Sequence, residues 1–472
     1  MPLNPPALNE LTAIVGSAHV VTGESDMAAF NRDWRGRFVG RSAAVVRPGC
    51  TAEVSAVMAW AHRNGCAIVP QGGNTGLVGG GIPAATGTEI ILSLGRMNAI
   101  RAVDRVNDTM VVEAGCILHD IQAAAVAAGR LFPLSLASEG SCQIGGAIAS
   151  NAGGLEVVRY GPMRDLVLGL EVVLPNGDLL PDVTQLRKNN TGYDLKQLFI
   201  GSEGTLGIVT AAALKLFPMP RAAATAFCGL RCPADGLDVL VEVKERCGAR
   251  LSSIEIISGP QMDLVLGHTK GSLPLAARHP WYLLVELTDS VDDGRLSELL
   301  LGVLAACSER GAVSDAAIAQ SEAQRAAFWA LRHMVSESNV HAGRVLSHDT
   351  SVPVASGADF ISRVEQALSG TPDMQLTFVG HLGDGNVHAV AIFDREKVVA
   401  ADFEGRAAAV SALVYEISAS LGGSISAEHG VGVALRDKLP TYKNHLELTL
   451  MRSIKTAIDP TGILNPGKLL VG

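Results

Sequence analysis

Cys66-Ala67-Ile68-Val69-Pro70-Gln71-Gly72-Gly73-Asn74-Thr75-Gly76-Leu77-Val78-Gly79-Gly80-Gly81 starts as a short apolar run and ends as a glycine-rich loop. Cys66 to Pro70 reads as a buried strand, being short, apolar and bounded by turn residues. Upstream, Ala43 to Arg47 reads as another strand, and Thr51 to Asn64 as an amphipathic helix with Thr51 as its cap. The residues before about Arg41 read as a helical lead-in with a polar segment, Asn31 to Arg37. Strand, helix, strand, glycine loop is α/β alternation. A glycine-rich turn leaving a buried strand lets successive backbone N–H groups converge on a phosphate. The competing reading is a flexible surface loop. The G-x-G-x-x-G order is missing and Ile82 to Gly87 does not read as a helix, so a nicotinamide-type crossover does not fit. Two more loops of this kind follow. Between Pro133 and Gly154 nearly every side chain after Gly145 is small, which allows a flat ligand or another backbone to come close. Phe199 to Thr210 carries Gly201, Gly204 and Gly207 into a strand. Three such loops in one segment point to an extended, phosphate-bearing cofactor.

The second half changes character. Strand-like runs Ser253 to Ile257 and Tyr282 to Leu287 alternate with helices over Gly236 to Cys247 and Arg295 to Arg310, and Gln320 to Glu337 reads as one helix. Gly380-His381-Leu382-Gly383-Asp384-Gly385-Asn386-Val387-His388 lies between two apolar β-formers and predicts a hairpin turning on Asp384-Gly385. That register sets His381 opposite His388, with His381, Asn386 and His388 on one face and Leu382 and Val387 on the other. Two imidazoles, an amide and the gap at Gly383 suit a metal ion with room for a substrate, or a hydrogen-bonded histidine pair in a polar hairpin. Glu428, in Ser426-Ala427-Glu428-His429-Gly430-Val431-Gly432, offers a carboxylate to complete a two-His, one-carboxylate set. His429 must point elsewhere than its neighbour, which suits a proton acceptor beside a metal ligand. Zinc fits these ligands; manganese and iron share them.

The 472 residues allow two or three domains. A net charge of -9 without a dense Lys/Arg run argues against a nucleic-acid partner. Met1 to Val20 lacks the basic and apolar regions of a signal peptide, and no uncharged apolar run reaches membrane-span length. Eight cysteines are scattered, with Cys228 and Cys232 the one close pair and no iron–sulfur or zinc-ribbon spacing. A cytoplasmic protein with reduced thiols is the expectation.

In order along the chain, Pro70 to Gly81, Gly145 to Gly154 and Gly201 to Val209 resemble the flavin-binding half of the vanillyl-alcohol-oxidase (PCMH-type) FAD family. Gly380 to His388, Glu428 to Gly432 and Asp459-Pro460-Thr461-Gly462-Ile463-Leu464-Asn465-Pro466-Gly467-Lys468 resemble its FAD-linked oxidase C-terminal partner, most of all the D-2-hydroxy acid dehydrogenases of D-2-hydroxyglutarate and D-lactate type. The resemblance implies an α+β fold: a PCMH-type FAD-binding domain of two α/β subdomains, and a ferredoxin-like cap with an antiparallel sheet. The expected divisions are a lead-in over 1–41, the FAD domain over 42–218, the cap over 219–425, and a segment over 426–472 returning to the flavin domain. FAD contacts are expected from Pro70, Gln71, Gly72, Gly73, Asn74, Thr75 and Gly76, from Pro133, Ser138, Cys142, Gly145, Gly146, Ala149, Asn151 and Gly153, and from Glu203, Gly204, Gly207, Ile208 and Asn465. Gln71 to Gly81 has no His or Cys, so the flavin is expected to be held without a covalent bond there.

The implied reaction is oxidation of a D-2-hydroxy acid to the 2-oxo acid by metal-assisted deprotonation and hydride transfer to FAD. His429 is the expected base; His381, His388 and Glu428 are the expected ligands of a divalent metal, zinc first. Arg332, Ser336 and Asn386 are expected to bind the small anionic substrate. In the hydroxyglutarate enzymes a lysine stands shortly before Asp-x-Ser-x-Pro, whereas here Ser347 precedes Asp349-Thr350-Ser351-Val352-Pro353, which leaves the tail of the substrate open. With no iron–sulfur ligands, electrons leave to an external acceptor such as an electron-transfer flavoprotein, a quinone or a cytochrome. A homodimer is carried as the expected assembly. The alternatives are a phenol or alcohol oxidase of the same superfamily, a metallohydrolase on the same three ligands, and a flavoprotein without catalysis.

Overall fold

The apolar run ahead of the first glycine loop forms the end strand of the first sheet, parallel to its one strand neighbour. In the computed structural model of the chain, which describes residues 3–471, β1 (Val20–Val21), β2 (Ser42–Val46), β3 (Ile68–Gln71) and β4 (Glu89–Ser93) align in the order β1-β2-β4-β3. β2 and β3 both run parallel to β4, with the helix Thr51–Asn64 as the crossover. That helix is capped at Cys50 rather than at Thr51; the Thr51 hydroxyl donates to Glu171 Oε1 at 2.6 Å and so is spent on a neighbouring strand. Next in the chain come β5 (Ile100–Asp104), β6 (Thr109–Glu113), β7 (Arg130–Leu131), β8 (Val167–Val173), β9 (Leu179–Asp182), β10 (Ile208–Lys215) and β11 (Phe217–Pro218). Five of them make an antiparallel sheet in the order β5-β6-β10-β8-β9, and β7 pairs with β11. The terminal motif joins the first sheet: Ile68 N–H donates to Ile463 O and Asn465 N–H to Ile68 O, both at 2.8 Å. These elements form one compact unit, built from the chain up to Gly154, from Gly161–Met219 and from Glu428 onward.

The other unit holds Leu155–Tyr160 and Pro220–Ala427. Its strands are β12 (Ala222–Leu230), β13 (Leu251–Ser258), β14 (Trp281–Asp289), β15 (Asp315–Ile318), β16 (Arg344–Ser351), β17 (Met374–His381) and β18 (Asn386–Phe393). They form one antiparallel sheet in the order β15-β12-β14-β13-β17-β18-β16. Period-two alternation splits its side chains into two cores. Ala226, Cys228, Ile254 and Ile256 face one way, with the helices Pro233–Cys247, Leu296–Glu309, Gly357–Leu368 and Ala400–Ser420 supplying apolar partners. Phe227, Ile257, Tyr282 and Val379 face the other, toward the helices Gly259–Thr269, Glu322–His333 and Val335–Ala342.

The single helix expected over Gln320 to Glu337 is in fact two, breaking at Met334. Phe328 and Leu331 of the first piece pack on the sheet, whereas the second piece is tied sideways by a buried bond from Gln261 Nε2 to Asn339 Oδ1, 2.7 Å. One straight rod cannot satisfy both. Arg332 and Ser336 therefore sit on different helices, and the face they were expected to share does not exist.

Candidate active site

The hairpin that carries the histidines is real, but its register differs from the expected one. His381 pairs with Asn386 and Val379 with His388, so the loop has four residues, Leu382–Gly385. A two-residue type I′ turn needs positive φ at both Asp384 and Gly385. Only Gly385 has it, at 83°. Leu382, 3% exposed, is drawn into the core beneath the sheet, and its N–H donates to Ile254 O at 3.0 Å. Burying that leucine opens the turn. A slip of this size keeps every side chain on its own face, so His381, Asn386 and His388 still share one side. The two imidazoles are now diagonal neighbours, ring centroids 5.9 Å apart and edge to face, with ligating nitrogens within 4.8 Å of each other.

What holds them was not anticipated. Glu255, on β13 opposite His381 and fully buried, accepts from His381 Nδ1 at 2.7 Å through Oε1 and from Arg332 Nε at 2.7 Å through Oε2. Burial pushes this carboxyl up, but the positive charges of His381 and Arg332 outweigh it and hold the group below the usual carboxylate range. With Nδ1–H donated to a carboxylate, the imidazole presents Nε2 as its ligating nitrogen, an arrangement characteristic of metal-binding histidines. Arg332 is thus half committed: its Nε is used within the protein, and the rest of its fork can take a carboxylate. Asp349 is the second missed residue. Buried on β16 opposite His388, it accepts from Asn386 Nδ2 at 3.1 Å and from the Ala427 N–H at 3.1 Å. Asn386 Nδ2 also donates to Thr350 O, leaving the buried Oδ1 without a partner among the described residues. The amide therefore offers an acceptor, which suits a substrate hydroxyl and not a carboxylate. Ser336 is exposed, and exposed Ser347 lies two residues before Asp349 on the same face of β16.

The unit with the glycine loops shows how they meet. A Cβ at Gly73 would stand 2.2 Å from Ser141 O, so the first loop can rest on the second only with glycine there. The third follows: Gly201 N–H donates to Ile148 O and Glu203 N–H to Ala149 O at 2.8 Å. Asn465 Nδ2 donates to Gly80 O and Glu203 O, clamping the first loop to the third. Asn74, Asn151, Glu203 and Asn465 all adopt positive φ, as closely curled loops require. A cofactor fits this cradle on two counts. Gly76 and Gly146 would meet nothing within 4 Å on gaining a Cβ. Gln143 Oε1 and Asn465 Oδ1 are buried acceptors without partners among the described residues. Not every expected contact is turned toward a ligand. Gly145 and Gly207 are small because Ala114 and Val172 lie against them, and the Glu203 carboxylate takes the Val431 and Gly432 N–H groups at 2.7 Å each. Glu428 and His429 open the stretch that leads to those N–H groups, directly after Ala427.

Comparison with known proteins agrees with this anatomy. Residues 42–181 match the FAD binding domain and residues 219–469 the C-terminal domain of FAD linked oxidases. A mitochondrial D-2-hydroxyglutarate dehydrogenase of Arabidopsis thaliana is 39% identical over 97% of this chain and 80% of its own. A putative mitochondrial D-lactate dehydrogenase of Schizosaccharomyces pombe is 35% identical over 95% of this chain and 85% of its own. The solved structure of p-cresol methylhydroxylase with bound substrate superposes with a TM-score of 0.75 at 15% identity, covering 98% of this chain and 96% of that one, which shows the fold. With an FAD domain, an FAD-linked oxidase C-terminal domain and dehydrogenase relatives along nearly its full length, the chain belongs to the FAD-linked oxidase family and is a flavin-dependent dehydrogenase.

Proposed function

We propose that the chain oxidises a D-2-hydroxy acid to the corresponding 2-oxo acid. The observation that carries the reading is the chain Arg332–Glu255–His381, which fixes a carboxylate-binding guanidinium and an oriented imidazole to one buried anion, in a protein whose relatives are dehydrogenases of such acids. Arg332 takes the substrate carboxylate with the part of its fork not bonded to Glu255. Asn386 Oδ1 accepts the substrate O–H as the acid binds, and His429 then takes that one proton, a task that suits an imidazole near neutral pH. His381, His388 and Glu428 are the residues that would hold a divalent cation; such an ion, when bound, lowers the pKa of a ligated hydroxyl. FAD, held by the glycine loops, supplies the acceptor for the C2 hydride, and electrons then pass to an external carrier.

Ser347 bears on the substrate. A neutral, exposed hydroxyl on the face of β16 that carries Asp349 offers no charge to a second carboxylate, which favours acids with an uncharged tail such as D-lactate over D-2-hydroxyglutarate. Anaerobic titration of the flavoprotein with D- and L-2-hydroxy acids tests the proposal. D-acids should bleach the flavin absorbance, and His429→Ala or a chelator should abolish the bleaching. Ser347→Lys should raise kcat/KM for D-2-hydroxyglutarate relative to D-lactate by about 10-fold, the worth of one charge-assisted bond. Flavin that stays oxidised with every D-2-hydroxy acid removes the assignment.

A further inference from the structure

On the other side of the same unit from the Leu382 core, the helices Gly259–Thr269 and Val335–Ala342 bring together three side chains the reaction does not use. His268 lies in the last turn of the first helix; Glu337 and His341 lie one turn apart on the second, hence on one face. His268 Nε2 is 3.3 Å from Glu337 Oε1, and His341 Nε2 is 4.0 Å from the same oxygen. The two imidazoles are stacked, centroids 4.3 Å apart at 26°. One ligand atom from each of the three residues lies within 4.8 Å of the other two.

We propose that His268, Glu337 and His341 form a second divalent-metal site, a clamp across two helices for a borderline ion such as zinc. Four arguments support it. The ligand set is two imidazoles and one carboxylate, which selects zinc, copper or nickel over magnesium or calcium. The helices carrying it are already locked, through the buried Gln261–Asn339 bond and through Met262, Val265, Leu266 and Val335 in a shared core, so the site comes preorganised. Both Nε2 atoms already address one carboxylate oxygen, and two nitrogens on a tetrahedral zinc stand about 3.3 Å apart. Closing from the present spacing therefore takes small rotations of side chains that are half-buried in His268 and mostly exposed in Glu337 and His341. Finally, one carboxylate leaves a bound dication with net positive charge and open positions, filled by water at this exposed place. The ion ties the helix that follows Arg332 to the helix beneath it, so occupancy stiffens that wall of the unit.

The proposal stands apart from the reading of the active site, and zinc counting separates the two. Full-length, metal-stripped protein is titrated with zinc chloride, and bound metal per chain is measured by equilibrium dialysis. His268→Ala/His341→Ala should lose one equivalent that His381→Ala/His388→Ala retains. Glu337→Gln, a single exposed substitution that leaves the fold alone, should weaken the same equivalent at least 10-fold. Thermal midpoint is the second readout: zinc should raise it in the His381→Ala/His388→Ala protein and not when His268 and His341 are also replaced. Unchanged zinc stoichiometry and affinity in both the double variant and Glu337→Gln overturn the proposal.

Discussion

Glu255 is the residue on which the proposed catalytic face depends. A buried carboxylate is costly unless its charge is met, and here one side chain is met twice, by partners 77 and 126 positions away in the sequence. That distance explains why it went unread. In Ser253-Ile254-Glu255-Ile256-Ile257 it looks like the polar member of an alternating strand, and nothing local announces that an arginine and a histidine meet it. The histidines were legible because they stand close together in one motif, whereas the carboxylate orienting His381 was supplied by the fold. Glu255→Gln keeps the shape and removes the charge. It should lower the affinity for the proposed divalent ion 10- to 100-fold through the loosened His381, and cost about 3–5 kcal/mol by leaving Arg332 half-buried without its counter-ion. Metal analysis and urea unfolding check the two effects separately. A variant with normal affinity would leave Glu255 with a structural part alone.

At the scale of elements, the sequence conveyed faces better than registers. Alternation placed His381, Asn386 and His388 on one side, and the observed pairing leaves that intact because the slip preserves parity. The turn itself was misjudged, since Asp-Gly is a strong local signal but the burial of Leu382 is a stronger tertiary demand. Gly385 is the one position where the loop needs glycine on two grounds: φ is 83°, and a Cβ would stand 2.1 Å from Val352 O. Gly385→Ala should destabilise by at least about 2 kcal/mol, visible as a lower urea midpoint with unchanged slope. The helix that broke at Met334 teaches the same lesson, since its cause is a side-chain bond to a helix some 78 residues earlier. Asn339→Ala strips Gln261 of its buried partner and should cost about 1–3 kcal/mol. The same urea series measures it, and a loss under half a kcal/mol would show that the apolar contacts alone hold the helix.

Across the whole molecule, the three glycine loops were legible because each is a local statement about backbone space, and together they implied a cofactor before any fold was known. Less legible was the path of the chain, which quits the glycine-loop unit for six residues, Leu155–Tyr160, that pack with the other. That excursion carries Glu156 beside β13 and β14. Burial, and then the negative charge of Glu286, push the Glu156 carboxyl up to about 7 from an ordinary 4.5, against the pull of Arg159 and Arg325. Between those two values the folded protein holds a proton that the unfolded chain has released, so folding takes up a proton and stability declines as pH rises. The contribution is fully favourable below about 4.5 and lost by the time pH has passed about 7. Glu156→Gln fixes the protonated shape, so it should stabilise the protein on the order of 2 kcal/mol at pH 8 and change little at pH 4.5. Urea midpoints taken at half-unit steps from pH 4.5 to 8 read this directly. A constant gap between the two proteins over that range would mean that Glu156 stays ionised throughout, with Arg159 and Arg325 outweighing its burial.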